Sequence, residues 1–345
     1  MNGWRIARRI ARWLLAALSV AALAGDILSP NPADAQNLDM FYAPPANIHF
    51  IDAQGSFHWR PFIYRYVLTD PLHIEYVEDT GTAYPLRFFV RGYSYRLFGL
   101  IPSSLHLAGA GQERMLYLWG TDELGRDVFA RVLAGAQTSL LVVACGIVIY
   151  SLAGITIGAF AGLSGGWRDA LLMRFSDFTL ALPALYLILA LRALLPATMP
   201  FWQMLLLLTG TIAAVTWPPM ARGVRGLIFQ LRSAGYVEAA RGLGCSPAWI
   251  FRRHMIPALL PYILQQTLAA TPVFLLGEVI LSFLDVGIGA SGSSWGSMLR
   301  NLRDPRVLTD FWWNLAPLGC VFATLLCLNA LGTQRQPRDQ SRNVL

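Results

Sequence analysis

The chain is 345 residues long, with 55% hydrophobic and only 14% charged residues and a formal net charge of +7. Against norms of roughly 45–50% apolar and about 25% charged, this composition and its positive mean hydropathy exclude a disordered chain, argue against a soluble enzyme and leave an integral membrane protein. All 27 basic residues are arginine, so the chain has no P-loop lysine, no Schiff-base lysine and no lysine general base; any nucleotide energy it uses is supplied by another subunit.

A membrane-spanning helix needs about 20 mostly apolar residues. The first apolar run, 13–29, follows Arg5, Arg8, Arg9 and Arg12, is interrupted by Asp26 and is trailed by Ala33-Asp34-Ala35. It reads as a retained anchor, because the run continues through Ile27 and Leu28, or as a cleavable signal peptide, because of the small-residue pattern behind it. Either way, residue 31 onward starts outside.

Residues 31–136 are the main composition shift, with eleven of the twenty acidic residues and fifteen aromatics between Phe41 and Phe98. Strand-like runs at 62–68, 73–77 and 86–90, separated by Pro, Gly and Asp, predict a small β-rich insertion at 41–99. It reads either as a solvated loop with its own small core or as a docking surface or lid, since aromatics and arginine anchor interfaces. None of the four cysteines (Cys145, Cys245, Cys320, Cys327) falls there, so no disulfide staples it. The cysteines lie at no metal-ligand spacing and read as small hydrophobes. His49, His58, His73 and His106 also lack ligand spacing, so no metal is expected.

Five clear spans follow at 137–163, 176–196, 201–221, 256–284 and 312–332. With the N-terminus inside, the short inner connections and tails hold fifteen arginines and the short outer loops four. That is a positive-inside pattern with both termini cytoplasmic. Arginines placed between apolar runs are explained by topology and not by nucleic acid. Leu163-Ser164-Gly165-Gly166 looks like an ATPase signature, but without a P-loop it reads as a turn.

The connection Tyr236–Pro261 is too polar to cross a bilayer and too long for a turn. Val237–Leu243 predicts a short helix, Gly244 its C-cap, and Ser246-Pro247 the start of a second helix. Ala239 and Ala240 would give this knob a small flat face suited to a groove on another protein; the plain alternative is an amphipathic connector. Glu278 lies inside an apolar helix, where an exposed acid costs on the order of 2.5–3.5 kcal/mol. It therefore faces protein or water, either as a packing carboxylate or as a pathway or gating group. Asp177 is the second such candidate.

The residues of this connection, Glu238-Ala239-Ala240, Gly244, His254 and Ile256-Pro257, resemble the EAA loop of ABC-importer permeases. Histidine followed by x-Ile-Pro is typical of their oligopeptide, dipeptide and nickel branch. WGTDELGRDVFARVLAGAQTSL (119–140) is similar to the Gly-Thr-Asp-x-x-Gly-Arg-Asp segment of that branch's second-type permease. MRFSDFTLALPALYLILAL (173–191), with Arg174, Asp177 and Pro183, and LLGEVILSFLDVGIGASGSSWGSML (275–299) extend the similarity over about residues 119–300. The 41–99 insertion and a C-terminus without the usual Gly-Asp-x-x-Arg-Asp ending depart from it.

The resemblance implies an all-α polytopic protein of about six transmembrane helices with the type I importer permease fold, carrying the β-rich periplasmic insertion. Its parts would be 1–30 (tail and first span), 31–118 (insertion), 119–136 (the leading motif), 137–332 (permease core with the 236–261 coupling loop) and 333–345 (tail). It implies a multi-pass protein of a bacterial inner membrane that binds no cofactor, ATP and Mg being used by two partner ATPase subunits. A second permease, a periplasmic substrate-binding protein and membrane lipid complete the partners. Glu238, Ala239, Ala240, Gly244, His254, Ile256 and Pro257 would couple to the ATPases, the 237–252 knob acting as a lever on the helices at 201–221 and 256–284. The rival readings are an ion-coupled secondary transporter using intramembrane carboxylates, and a membrane scaffold or sensor. The sequence leaves the solute open among dipeptide, oligopeptide, nickel chelate and modified peptide.

Overall fold

The computed structural model describes residues 2–97, 101–110, 116–183, 186–187, 189–190, 196, 199–288 and 292–332. The chain divides into two compact units, one of Trp13–Leu140 with Glu278–Thr324, the other of the residues up to Arg12, Leu141–Gly277 and those from Leu325.

Helix α1 (Asn2–Leu23) runs across the division of the chain after Arg12 and, within the Trp13–Leu140 and Glu278–Thr324 unit, gives way at Ala24 to the single turn α2 (Gly25–Leu28). The sheet of β1 (His49–Ile51), β2 (Phe57–Asp70) and β3 (Glu75–Pro85) is antiparallel in the order β1-β2-β3, and β4 (Arg87–Leu97) pairs with β5 (Ile101–Gly109) as a separate antiparallel hairpin. The run at 73–77 is not strand throughout. Asp70 accepts the N–H of Leu72 at 2.8 Å and bonds the His73 ring at 2.7 Å, a side-chain-stabilised turn that delays β3 to Glu75. Strand structure also continues to Gly109, beyond the 41–99 stretch and inside the 31–118 segment expected to hold the insertion. The buried His106 ring ties β5 to α2 and β4, lying 2.9 and 2.8 Å from the carbonyl oxygens of Asp26 and Ser29 and 3.0 Å from that of Tyr93.

The segment Gly120–Asp127 is a buried clasp ahead of α3 (Val128–Ser164). Asp122 accepts the N–H groups of Leu124 and Arg126 at 2.9 and 3.0 Å and pairs with the Arg126 and Arg131 guanidiniums. Gly125 sits at φ +68°, where a Cβ would lie 1.8 Å from the Asn37 carbonyl oxygen, so only glycine fits. Asp127 caps α3 by accepting the N–H of Phe129 at 2.9 Å and of Ala130 at 3.3 Å, filling donors that a helix start leaves open. It also takes the Asn31 amide at 2.8 Å. Burial pushes its carboxyl up to about 7. Against α3 pack Met298, Val307, Phe311 and Trp313, from α10 (Trp295–Met298), α11 (Pro305–Thr309) and the turns around them.

In the other unit, α4 (Gly166–Ala181), α5 (Phe201–Thr216), α6 (Pro218–Arg232), α7 (Gly235–Gly242), α8 (Pro247–Ile250) and α9 (Ile256–Phe283) follow, α9 and α12 (Ala316–Gly332) running on across the division of the chain. Gly165 and Gly166, at φ +64° and +61°, turn the chain from α3 into α4, where the ATPase-signature lookalike sits. Gly154, Gly158 and Gly162 form one stripe of α3 at helical spacing. A Cβ on Gly158 would lie 2.4 Å from the Ala221 carbonyl oxygen, and one on Gly154 2.5 Å from the Met220 side chain, so α6 lies directly against the α3 backbone.

Among the described residues three helices are long and apolar enough to cross a membrane, Val128–Ser164, Pro247–Phe283 and Trp312–Gly332, and a fourth if Phe201–Thr216 and Pro218–Arg232 count as one bent span. The expected single span at 201–221 is thus two helices meeting at 48°. Pro218 and Pro219 remove two helix-interior donors and crowd the preceding carbonyls. The run 13–29 is not among these helices, since α1 spends its first half on arginines and breaks at Ala24. The expected span at 176–196 lies partly outside the described residues, as do the 333–345 tail and residues 289–291 of the fourth motif.

Candidate functional site

The coupling segment is built by two capping devices. α7 ends where Gly244, at φ +80°, gives its N–H to the Arg241 carbonyl at 2.9 Å, while Cys245 N–H reaches the Ala240 carbonyl at 3.1 Å. This pair of bonds around a left-handed glycine is a Schellman turn, completed by apolar contact of Cys245 with the core containing Ala240. α8 then starts at Ser246, whose hydroxyl accepts the Trp249 N–H, with Pro247 in the first turn.

Val237, Ala240, Ile250 and Met255 are buried together as the knob's own core. The expected flat face of Ala239 and Ala240 is therefore not formed. Neighbours on a helix point about 100° apart, and Ala240 faces this core while Glu238 and Ala239 face solvent. The exposed surface is more apolar than the alanines suggested, with Leu243 84%, Tyr236 49% and Trp249 48% exposed. His254 lies between two of these rings, 5.7 Å from Tyr236 and 5.3 Å from Trp249.

The second short helix is not a separate element. α8 passes through a π-turn at Phe251–Met255, where Ile256 N–H bonds the Phe251 carbonyl five residues back, and joins α9 as one 37-residue helix. Pro257 supplies the reason: it has no N–H for the carbonyl four residues back and its ring crowds that position, which the wider turn accommodates. Ile256 and Pro257 are exposed at the start of α9.

Glu278 belongs to the other unit and is completely buried. Ser139 and Ser282 donate to its two carboxylate oxygens at 2.9 and 2.8 Å, and Ser294 adds a third hydroxyl. It makes no ion pair among the described residues. Ser294 also caps α10 with Ser297 in a reciprocal pair, and Trp295 N–H reaches Ser139 at 3.3 Å. Three elements, α3, α9 and the start of α10, thus converge on one carboxylate. Ser282 is detectable in the sequence at i+4; Ser139 and Ser294 are brought in only by folding.

Asp177 is placed differently from the buried acid expected of it. Its side chain is 69% exposed and ion-paired with Arg222, which also donates to Ser176 at 3.1 Å. Ser176 takes the inward position on α4, which turns Asp177 outward. The buried acid of α4 is Asp169, whose carboxylate is gripped through both oxygens by Arg225, a pair that the sequence, reading Asp169 as part of a connection, did not single out.

Among the described residues no group of three or more His, Cys, Asp or Glu side chains is arranged to hold a metal ion. The four cysteines are free thiols.

Residues 154–334 match the family described as the binding-protein-dependent transport system inner membrane component. A Brucella suis protein named as a peptide permease is 34% identical over 215 residues, covering 62% of this chain and 69% of its own. The dipeptide transport system permease protein DppC of Bacillus subtilis is 35% identical over 62% of this chain and 65% of its own, and the oligopeptide transport permease OppC of the same organism 32% over 62% and 68%. With apolar helices of membrane-crossing length and the EAA-type connection folded as a capped knob, the chain belongs to the binding-protein-dependent transport inner-membrane component family and is the multi-pass inner-membrane permease subunit of an ABC importer, ATP being hydrolysed by separate subunits.

Proposed function

We propose that this permease translocates a peptide-like solute and that Gly235–Met255 is the contact through which its ATPases drive it. The names of the relatives support the solute class. The knob carries the coupling role: a small closed core, with Leu243, Tyr236 and Trp249 left exposed beside Glu238 and Ala239, on a segment rich in arginine and hence cytoplasmic by the positive-inside rule.

In this reading Glu238, Ala239, Ala240, Gly244, His254, Ile256 and Pro257 form the coupling set. Ala240 and His254 hold the knob's shape, and the others lie at or near its surface. α6 runs from the bend at Trp217 to the knob and is held along α3 and, through Arg222 and Arg225, to α4. Closure of the ATPases would push the knob and pivot α6 about that bend, a rigid-body switch between inward and outward access. A second permease completes the pore, two ATPases engage the cytoplasmic knobs, and a periplasmic substrate-binding protein delivers the solute. The fold has about six spans in lipid, with 13–29 the first, both termini cytoplasmic and the strands at 49–109 outside. Glu278 is the gating candidate and Asp177 a weaker one, as its exposed pair with Arg222 suits a structural link.

Uptake of a labelled dipeptide by proteoliposomes holding the permease pair and its ATPases tests the reading. ATP-dependent accumulation is expected. Accumulation driven by a proton gradient without ATP would favour the ion-coupled carrier instead.

A further inference from the structure

The hairpin of β4 and β5 carries an apolar, basic surface that the coupling mechanism does not use. Two strands alone are marginal in water and need packing on at least one face. One face of this hairpin has it. The His106 ring lies 2.9 and 2.8 Å from the carbonyl oxygens of Asp26 and Ser29, at the end of the apolar run 13–29. Gly92 leaves room for that ring, since a Cβ there would lie 2.7 Å from the His106 Cδ2.

Side chains alternate across a strand, so Leu105 and Leu107, on either side of the buried His106, project from the opposite face, and both are exposed. Arg91 stands directly opposite Leu105 and Arg87 opposite Gly109, so both arginines share that face. Phe89, 70% exposed, lies between the Phe88–Ala108 and Val90–His106 pairs, beside Leu107. From Leu86 to Gly109 the sequence holds Arg87, Arg91 and Arg96 and no Asp or Glu. The three arginines are exposed, and none makes an ion pair with a described residue. The acids of the long strands belong to the other sheet, as Asp70, Glu75, Glu78 and Asp79.

Single exposed apolar side chains are ordinary, whereas a cluster of them rimmed by charge marks an interaction surface. Two observations identify what covers this one. With 13–29 read as the first span, His106 fixes the hairpin to the residues at the outer end of that span, so its free face lies at the level of the headgroups. Aromatic and aliphatic side chains interleaved with arginine, and free of carboxylates, also match the boundary between acyl chains and anionic headgroups.

We propose that the free face of the β4–β5 hairpin docks onto the outer leaflet of the membrane, with Phe89, Leu105 and Leu107 entering the headgroup region and Arg87 and Arg91 meeting the phosphates of anionic lipids. Docking there rests on the reading of 13–29 as the first span and of the strands as external. Depth in the bilayer reads the same from either leaflet, so a failure of docking is distinguishable from an inverted topology, which thiol labelling at Ser56 and Ser233 would reveal.

The full chain, with its four cysteines replaced by alanine, is given one nitroxide label through Leu105→Cys, Leu107→Cys or, on the acidic sheet, the exposed Val77→Cys. It is placed in nanodiscs of phosphatidylcholine with or without phosphatidylglycerol, and thermal unfolding verifies that each variant remains folded. At positions 105 and 107 collisions with oxygen, which concentrates in lipid, should exceed those with a neutral water-soluble nickel complex; at position 77 the order should reverse. In discs with phosphatidylglycerol, Arg87→Gln and Arg91→Gln should each lower the docked-to-free ratio of the label's two spectral components by up to about five-fold, the range of one arginine at an anionic surface. Labels at 105 and 107 as open to the nickel complex as the label at 77 would overturn the proposal. So would shielding from both reagents, as beneath a protein partner, or unchanged docking in both arginine variants.

Discussion

Ser139 and Glu278, 139 residues apart, meet through a 2.9 Å hydrogen bond between two fully buried side chains. An acid buried without an ion-pair partner is costly unless hydrogen bonds satisfy it, and three serine hydroxyls do so here. Glu278→Gln preserves shape and most of these bonds. If Glu278 gates the pore, the substitution lowers transport at unchanged expression and leaves ATP hydrolysis poorly coupled to uptake. Near-normal, tightly coupled transport in proteoliposomes would assign Glu278 to packing alone.

Gly244 closes the α7 cap at φ +80° in open space. A side chain there is strained by roughly 1–2 kcal/mol, and Gly244→Asp also adds a charge to the exposed knob. Transport is expected to fall several-fold while membrane insertion and abundance stay normal. Retained uptake would contradict the coupling role of the knob.

The topology is checked by single cysteines at Ser56, Thr82 and Ser233, all exposed. In cells with a permeabilised outer barrier, a membrane-impermeant thiol reagent should label Ser56→Cys and Thr82→Cys and spare Ser233→Cys. Labelling of the last from outside would invert the assignment.

Asp127 makes the stability of the clasp pH-dependent. Its folded value of about 7 is raised from 3.8, so the folded state holds a proton that the unfolded state has released across that window. This group's contribution to stability therefore declines as pH rises from about 4 to 7 and is lowest above it. Asp127→Asn keeps a capping side chain and should flatten this decline, measured as thermal unfolding in detergent at pH 5 and pH 8. An unchanged difference between the two pH values would show that Asp127 is not its source.

The two-device cap of the knob was legible in the chain because its signals are local. Gly244, Ser246 and Pro247 act through backbone conformation and bonds to residues within a few positions, so their order alone specifies a helix end followed by a helix start. The π-turn before Pro257 and the bend at Pro218 are also local in cause, but their outcome depends on whether packing carries the helix through the proline or breaks it. The first happened in Pro247–Phe283 and the second at Trp217.

Apolar periodicity and arginine placement determined that the chain is a membrane protein and where its main helices lie, because both respond to the bilayer as a solvent and not to any particular neighbour. Tertiary structure alone decided which acids are buried. Asp169 and Asp177 share one helix, yet the direction in which Ser176 faces turns Asp177 to the surface, and α6 supplies Arg225 to Asp169. Glu278 is satisfied by hydroxyls on Ser139 and Ser294, whose meeting depends on contacts between segments distant in the chain, so no spacing in the sequence encodes it.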